Sequence, residues 1–410
     1  MQLTVGSGQL PKGWEVKKLG EICEIEKNQG IYNNLPYVGM ENIESNTARF
    51  IGSYQPQTVK SSTFRFNPNH ILYGRLRPYL NKVLAPNFEG HCSTEIFPIK
   101  PSECLSKNFL LYWLLMDSTV NNINKTCTGA RMPRANMTAV FEFDFPVPPL
   151  PEQKRIVAIL DEAFEGIDRA ISNTEKNLSN ARELFESYLN FKLFAVASNK
   201  PTQTLSCITD LIIDCEHKTA PTQETGIPSI RTPNIGKGYL IFDNVNRVSE
   251  ETYKMWTRRG KPEPGDLILA REAPAGNVGV IPEGYKVCLG QRTVLIRPNK
   301  KSVDSEYLAF LLLHPLMQKR LLAKSTGATV QHVNMKDIRE LAISELPPIQ
   351  TQRDCIQDLK QLESQSNRLE NIYRQKIAAL KELKQSILQK AFTGELTVDK
   401  GELAKEEIAA

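Results

Sequence analysis

The segment Thr128-Gly-Ala-Arg-Met-Pro-Arg-Ala-Asn-Met137 returns 198 residues later as Thr326-Gly-Ala-Thr-Val-Gln-His-Val-Asn-Met335. Just beyond, Pro148-Pro-Leu-Pro-Glu-Gln153 is matched by Pro347-Pro-Ile-Gln-Thr-Gln352 at an offset of 199. Working back toward the N-terminus, Asn108-Phe-Leu-Leu-Tyr112 resembles Glu306-Tyr-Leu-Ala-Phe310 at 198. Ile71-Leu-Tyr-Gly-Arg75 resembles Leu267-Ile-Leu-Ala-Arg271 at 196, an offset that Cys92 and Cys288 share. A drift of a few residues is what short loop insertions produce. Repetition on this scale governs the fold: the 410 residues are two divergent copies of one unit.

Each copy reads as a globular stretch followed by a helical one. The expected layout is a first α/β domain at 12–150, a long helix at 151–194, a second α/β domain at 200–348, a second long helix at 350–392 and a flexible tail at 393–410. In the globular parts, Thr94–Ile99 and Gln291–Arg297 have the short apolar or alternating pattern of strands. Leu110–Met116 and Tyr307–Leu313 read as buried helix.

After Pro151 the period changes. Val157, Leu160, Phe164, Ile167, Ile171, Thr174, Leu178, Ala181, Phe185 and Tyr188 advance by steps of three and four, a heptad stripe. The second copy gives Leu359, Leu362, Ser366, Leu369, Tyr373, Lys376, Leu380, Leu383 and Ile387, a weaker seam with Ser366 and Lys376 in it. A helix of ~40 residues is about 60 Å long, and such an amphipathic helix is not stable alone in water. The expectation is an antiparallel coiled coil between the two, giving the molecule an approximate two-fold repeat. The alternatives are that each helix packs on its own domain, or that the stripes pair two copies of the chain.

Composition narrows the function. Apolar residues make up 40% and charged residues 24%, which suits a folded chain. No apolar run approaches the length of a membrane span, and Met1–Leu10 lacks the pattern of a secretory signal. The eight cysteines form no CxxC pair, so reduced thiols and a cytoplasmic location are expected. The net charge of +5 is unevenly placed: +3 over 1–150, −2 over 151–198, +4 over 199–348 and zero over 349–410. The excess lies in the two globular parts, where nucleic acid could be met.

Signatures of catalysis are missing. There is no GxxxxGK[ST], no GxGxxG nest, no HExxH and no nucleophile elbow. Asp266 and Glu272 near Arg271 resemble a metal-nuclease cluster but lack its lysine, and Asp214-Cys215-Glu216-His217 has no second ligand group. No catalytic, cofactor or metal residue is therefore assigned. Basic residues among Gly, Pro, Asn and Tyr are better suited to base edges and phosphates. The DNA-facing candidates are Arg75, Arg77, Lys82, Arg231, Asn234, Lys237, Arg271 and Arg292. A solvated charged surface is the alternative for each, and a shared salt bridge for the matched pair Arg75 and Arg271. A protein-binding scaffold and a self-contained nuclease or methyltransferase are the competing functions.

The twin Thr-Gly-Ala segments, the Pro148–Val157 stretch with its looser copy at Pro347–Ile356, and Leu388-Gln-Lys-Ala-Phe-Thr-Gly-Glu-Leu396 together resemble the specificity subunits of type I restriction-modification systems. The resemblance covers nearly the whole chain. It implies two target recognition domains, each reading one half of a bipartite asymmetric site in double-stranded DNA, joined by spacer helices that set the gap. It also implies that the chain is noncatalytic and assembles with two modification subunits and with restriction subunits. S-adenosylmethionine, ATP and magnesium are implied only for those partners. One departure is Gln350-Thr351, where the first copy has Pro151-Glu152.

Overall fold

The computed structural model describes residues 10–129, 131–198, 200–272, 275–323 and 332–397. The chain divides into two units, Met1–Glu175 with Gln375–Ala410, and Lys176–Arg374. The division falls within both long helices, which run Leu150–Ser198 and Ile349–Thr393. Each unit therefore holds one globular head, the start of one long helix and the end of the other.

Each head is closed by a strand pair from its two ends. Glu15–Lys18 pairs antiparallel with Asp144–Val147 in the first. Gln203–Thr204 pairs antiparallel with Ala342–Ile343 in the second. Inside the first head an antiparallel sheet runs in the order Cys23–Ile25, Ile96–Pro101, Ile71–Gly74, Val83–Leu84. The second head repeats it as Thr209–Asp214, Thr293–Pro298, Leu267–Ala270, Val278–Val280. Ile71–Gly74 and Leu267–Ala270 are buried at all four positions, which is why both read as continuous apolar runs and not as alternation. A smaller sheet stands beside each. Its parallel rungs bring Val38 to Cys92 in one head and Ile230 to Leu289 in the other; Cys288 stands one place earlier, opposite Ser229, and both cysteines are fully buried. Among the described residues three helices follow in each: Lys107–Leu114, Asp117–Lys125 and Met137–Phe141, then Ser305–Leu313, Pro315–Leu322 and Met335–Arg339.

The Pro-Pro motif fastens each long helix to its head. Gln153 is fully buried; its Oε1 accepts from the Ser106 amide at 2.7 Å, and its Nε2 donates to the carbonyls of Cys104 at 2.9 Å and Pro148 at 2.8 Å. Gln352 is also fully buried and makes the same three bonds, to the Asp304 amide at 2.9 Å, Ser302 O at 3.1 Å and Pro347 O at 2.8 Å. A primary amide supplies the one acceptor and two donors that this junction needs.

In the first unit, Ile156, Val157 and Leu160 at the start of the first long helix share a core with Leu388, Ala391 and Phe392 near the end of the second. The Phe392 ring lies 4.6 Å from that of Phe109. In the second unit, Leu193 shares a core with Ile356 and Leu359. The pairing is antiparallel within each unit. Asp168 meets Lys384 in the first. In the second, Arg182 meets Glu370 at 3.0 Å, Lys192 meets Asp358 at 2.8 Å, and Ser366 Oγ donates to Ala181 O at 2.7 Å.

On the first helix Val157, Leu160, Phe164 and Ile167 are buried, and Ile171, Leu178 and Phe185 half-buried. On the second, Leu359 is buried, and Leu362, Tyr373, Leu380 and Ile387 are half-buried. Leu369 and Leu383 depart from expectation, being 40% and 47% exposed, and Lys376 is exposed too. The covered stripe steps from Ser366 to Glu370, Ile377 and Lys384, one residue later in each heptad. Glu370 earns its place through Arg182 and Arg374, and Lys384 through Asp168 and the Phe164 ring, whose centroid is 4.7 Å from Nζ.

The tail expected from 393 begins with order. Gly394, at a φ of +85°, reverses the chain, a conformation suited to glycine, and Leu396 returns onto the first core. Residues 398–410 lie outside the described residues.

Candidate nucleic-acid interface

The twin motif places an equivalent corner on each head. In the first, Thr128 and Arg134 exchange backbone hydrogen bonds of 3.1 Å in both directions, with Gly129 at a φ of +90° in the turn between them. Arg134 also bridges to Leu76, just past the central strand Ile71–Gly74. In the second head His332 bridges to Glu272, just past the central strand Leu267–Ala270. The second Thr-Gly-Ala, Thr326–Ala328, lies outside the described residues, as does Ala130 of the first.

Glu95 centres the first corner. Arg134 Nη2 donates to its Oε1 at 2.8 Å and Arg75 Nε to its Oε2 at 3.1 Å. The hydrogen bonds from Arg134 hold the Glu95 carboxyl below the usual range, against the opposing pull of burial. The Arg75 guanidinium lies over the Phe97 ring at 4.9 Å. Glu272 centres the second corner, with Arg292 Nε at 2.9 Å from Oε2 and His332 Nδ1 at 2.6 Å from Oε1. Behind it, Arg271 Nη1 reaches both oxygens of Asp214 at 2.7 and 2.8 Å.

Half of the eight sequence candidates have inward work. Arg271 is 6% exposed and held by Asp214, by Val333 O and by His332. Lys82 Nζ donates to Met40 O at 2.6 Å and Ile43 O at 2.9 Å. The Asn234 carbonyl accepts from the Arg231 amide at 3.2 Å, closing the short helical turn Thr232–Asn234; Asn42 does the same for Gly39 in the first head. Arg75 is half-buried on Glu95. The polar groups of these four are engaged within the head, by backbone carbonyls or carboxylates for Arg271, Lys82 and Arg75 and by a backbone amide for Asn234. Arg77, Arg231, Lys237 and Arg292 are exposed.

Arg77 and Arg292 stand at φ values of +52° and +65°, which non-glycine residues rarely adopt. A Cβ on Gly290 would come within 2.5 Å of Arg231 Cγ, so Arg231 and Arg292 flank one close backbone approach. The polar segment Asp214–His217 joins this corner through Arg271, and Glu216 draws in Arg258 at 3.1 Å and Arg259 at 3.8 Å.

Asp266, the nuclease look-alike, is buried and gripped by the Arg297 fork at 2.8 and 2.9 Å. Among the described residues no group of three His, Cys, Asp or Glu is arranged to hold a metal ion, and no helix is long and apolar enough to cross a membrane. Sequence reasoning weighed Glu272 only as a metal-nuclease look-alike and gave no role to Glu95, Arg134, His332 or the two buried glutamines. Arg134 and His332 do occupy matched places in the twin motif, which was the available signal.

The sequence profile of the type I restriction modification DNA specificity domain matches residues 11–178 and again residues 216–381. The chain belongs to this family. The EcoDI specificity subunit of Escherichia coli is 28% identical over 186 residues, a stretch that is 44% of this chain and 41% of that subunit. The match to the E. coli EcoBI specificity subunit spans 66% of that protein, so the chain covers less than two thirds of either relative. Other relatives align nearly end to end. The putative MjaX specificity subunit of Methanocaldococcus jannaschii is 21% identical over 95% of both chains. A solved chain from work on complex assembly and conformational transition of the type I R-M system superimposes with a TM-score of 0.75 at 22% identity, covering 94% of this chain and 99% of that one. The HsdS subunit from Thermoanaerobacter tengcongensis gives 0.57 at 22% identity, covering 96% and 100%. The relatives named here are specificity subunits of type I restriction enzymes.

Proposed function

We propose that the chain recognises a bipartite, asymmetric sequence in double-stranded DNA, with the head of 12–150 on one half-site and the head of 200–348 on the other. The long helices, 151–194 and 350–392, set the unread gap. The observation that carries this reading is the pair of equivalent corners. One framework is built twice, with different charged side chains at the matched positions. That is what reading two different half-sites with one fold requires. Lysines and arginines engage phosphates and fix position, while a few side chains at base edges discriminate.

The relatives are subunits of type I restriction enzymes, and on this reading the chain joins two modification subunits and the restriction subunits in the cytoplasm. S-adenosylmethionine, ATP and magnesium belong to those partners. The target base leaves the stack for a partner's pocket, a step costing a few kcal/mol of unpairing, and this chain supplies binding energy and register.

The test is the methylome of a host with and without the gene. Methylation of one split motif that disappears with the gene is expected. A methylome independent of this chain overturns the proposal. So does binding to duplex DNA that shows no sequence preference and no weakening with salt.

A further inference from the structure

We propose that Arg292 reads a guanine in the half-site of the second head, with Glu272 and His332 as its positioning residues; this rests on the DNA recognition proposed above. Five side chains form one line from the interior to the surface. Asp214 accepts from Arg271 Nη1 at 2.7 and 2.8 Å. Arg271 Nη2 lies 2.9 Å from His332 Nε2, and His332 Nδ1 lies 2.6 Å from Glu272 Oε1. Glu272 Oε2 is 2.9 Å from Arg292 Nε.

The roles along this line are forced. A guanidinium can only donate, so His332 Nε2 accepts, and the proton of the neutral ring sits on Nδ1. Nδ1 then donates to Glu272, whose other oxygen forms an ion pair with Arg292. Donors and acceptors alternate without a mismatch. The line runs through Arg271, which is 6% exposed, and ends on Arg292, whose side chain is 58% exposed.

That arrangement sets the Glu272 carboxylate against the Nε side of the Arg292 guanidinium. Its outer edge, the two terminal nitrogens, carries the paired donors that match O6 and N7 of guanine in the major groove. A phosphate contact needs no such partner, because a cation of loose orientation serves as well. The backbone of Arg292, at a φ of +65°, is a conformation a bulky residue seldom takes, and so a local cost, as at Arg77 in the first head.

The internal repeat separates reading from scaffolding. The strands Ile96–Pro101 and Thr293–Pro298 are equivalent, and the residues matched just before them are Glu95 and Arg292. A residue kept for the fold would keep its charge in both copies. Here the charge reverses, and the partners are rearranged around it. Glu95 accepts from Arg75 and Arg134, whereas Arg292 forms an ion pair with Glu272. Two heads that must read different bases should differ at the reading position, and this is where they differ.

The experiment compares methylomes of hosts carrying the full-length wild-type chain, Arg292→Ala, Arg292→Lys or Glu272→Gln with its native partner subunits. The wild-type motif comes first: if no motif depends on the wild-type chain, DNA recognition itself fails, apart from this proposal. Given a motif, Arg292→Ala should relax one G·C pair in the second half-site, with a loss of discrimination of roughly ten- to a hundredfold. The first half-site should stay intact, which also shows that the variant folds and assembles. Arg292→Lys should relax the same pair, because lysine keeps the charge and lacks the fork. Glu272→Gln should relax it more weakly. An unchanged motif in Arg292→Ala overturns the proposal, as does relaxation at an A·T pair. Uniform weakening across sequences, with a salt slope smaller by about one, would assign Arg292 to a phosphate and also overturn it.

Discussion

Gln153 and Gln352 show how a motif can be visible before its job is. Between the two copies Pro151 becomes Gln350 and Glu152 becomes Thr351, yet the glutamine stays. The reason is three hydrogen bonds repeated in each unit at a fully buried site. Truncation leaves an amide and two carbonyls buried without partners. Gln352→Ala should therefore destabilise the full chain by about 3 kcal/mol, seen as a lower urea midpoint. Gln352→Glu should be no better, since a carboxylate cannot donate to Ser302 and Pro347 carbonyls. An unshifted midpoint in both variants would remove the junction role. The inward turn of Lys82 was illegible for a related reason. Its captors are carbonyls of residues 40 and 43, and nothing in the local sequence announces them.

At the scale of the element, the long helices were legible from the change of period, and their antiparallel pairing from the domain between them. The phase of the second seam was not. Three-four alternation from Leu359, Ser366, Tyr373 and Leu380 permits an intermediate position on either side, and counting apolar residues selects Leu369 and Leu383. The structure selects Glu370 and Lys384, whose stems lie along the seam while their charges meet Arg182 and Asp168 on the other helix. Cross-helix pairing of that kind is not encoded in the hydropathy of one helix. The two phases make opposite predictions. Leu369→Gln should change the stability of the isolated chain by no more than about 0.5 kcal/mol. Leu359→Ala, at a fully buried site, should cost about 2–5 kcal/mol. Denaturant titration of both variants decides, and a Leu369→Gln loss comparable to that of Leu359→Ala would restore the first phase.

For the whole molecule, duplication was the most legible property, because the offsets drift only from 196 to 199 between Ile71 and Gln153. It makes the proposed gap a quantity set by helix length. A heptad adds about 10 Å to a helix at 1.5 Å per residue, and B-DNA rises 3.4 Å per base pair, so one heptad corresponds to about three base pairs. Both helices must be lengthened together, since the antiparallel pairs in each unit run in opposite chain directions and a single insertion would slide one set past the other. Placing one heptad after Glu175 and one after Arg374, where the two units divide, leaves every pair within each unit in register and both heads untouched. The methylated motif should then keep both half-sites with a gap about three base pairs longer. A methylated motif with its original gap would show that the helices do not measure it. A heptad in one helix alone should abolish methylation, because the seam and the cross-helix ion pairs of one unit are lost, whichever half-site its head reads.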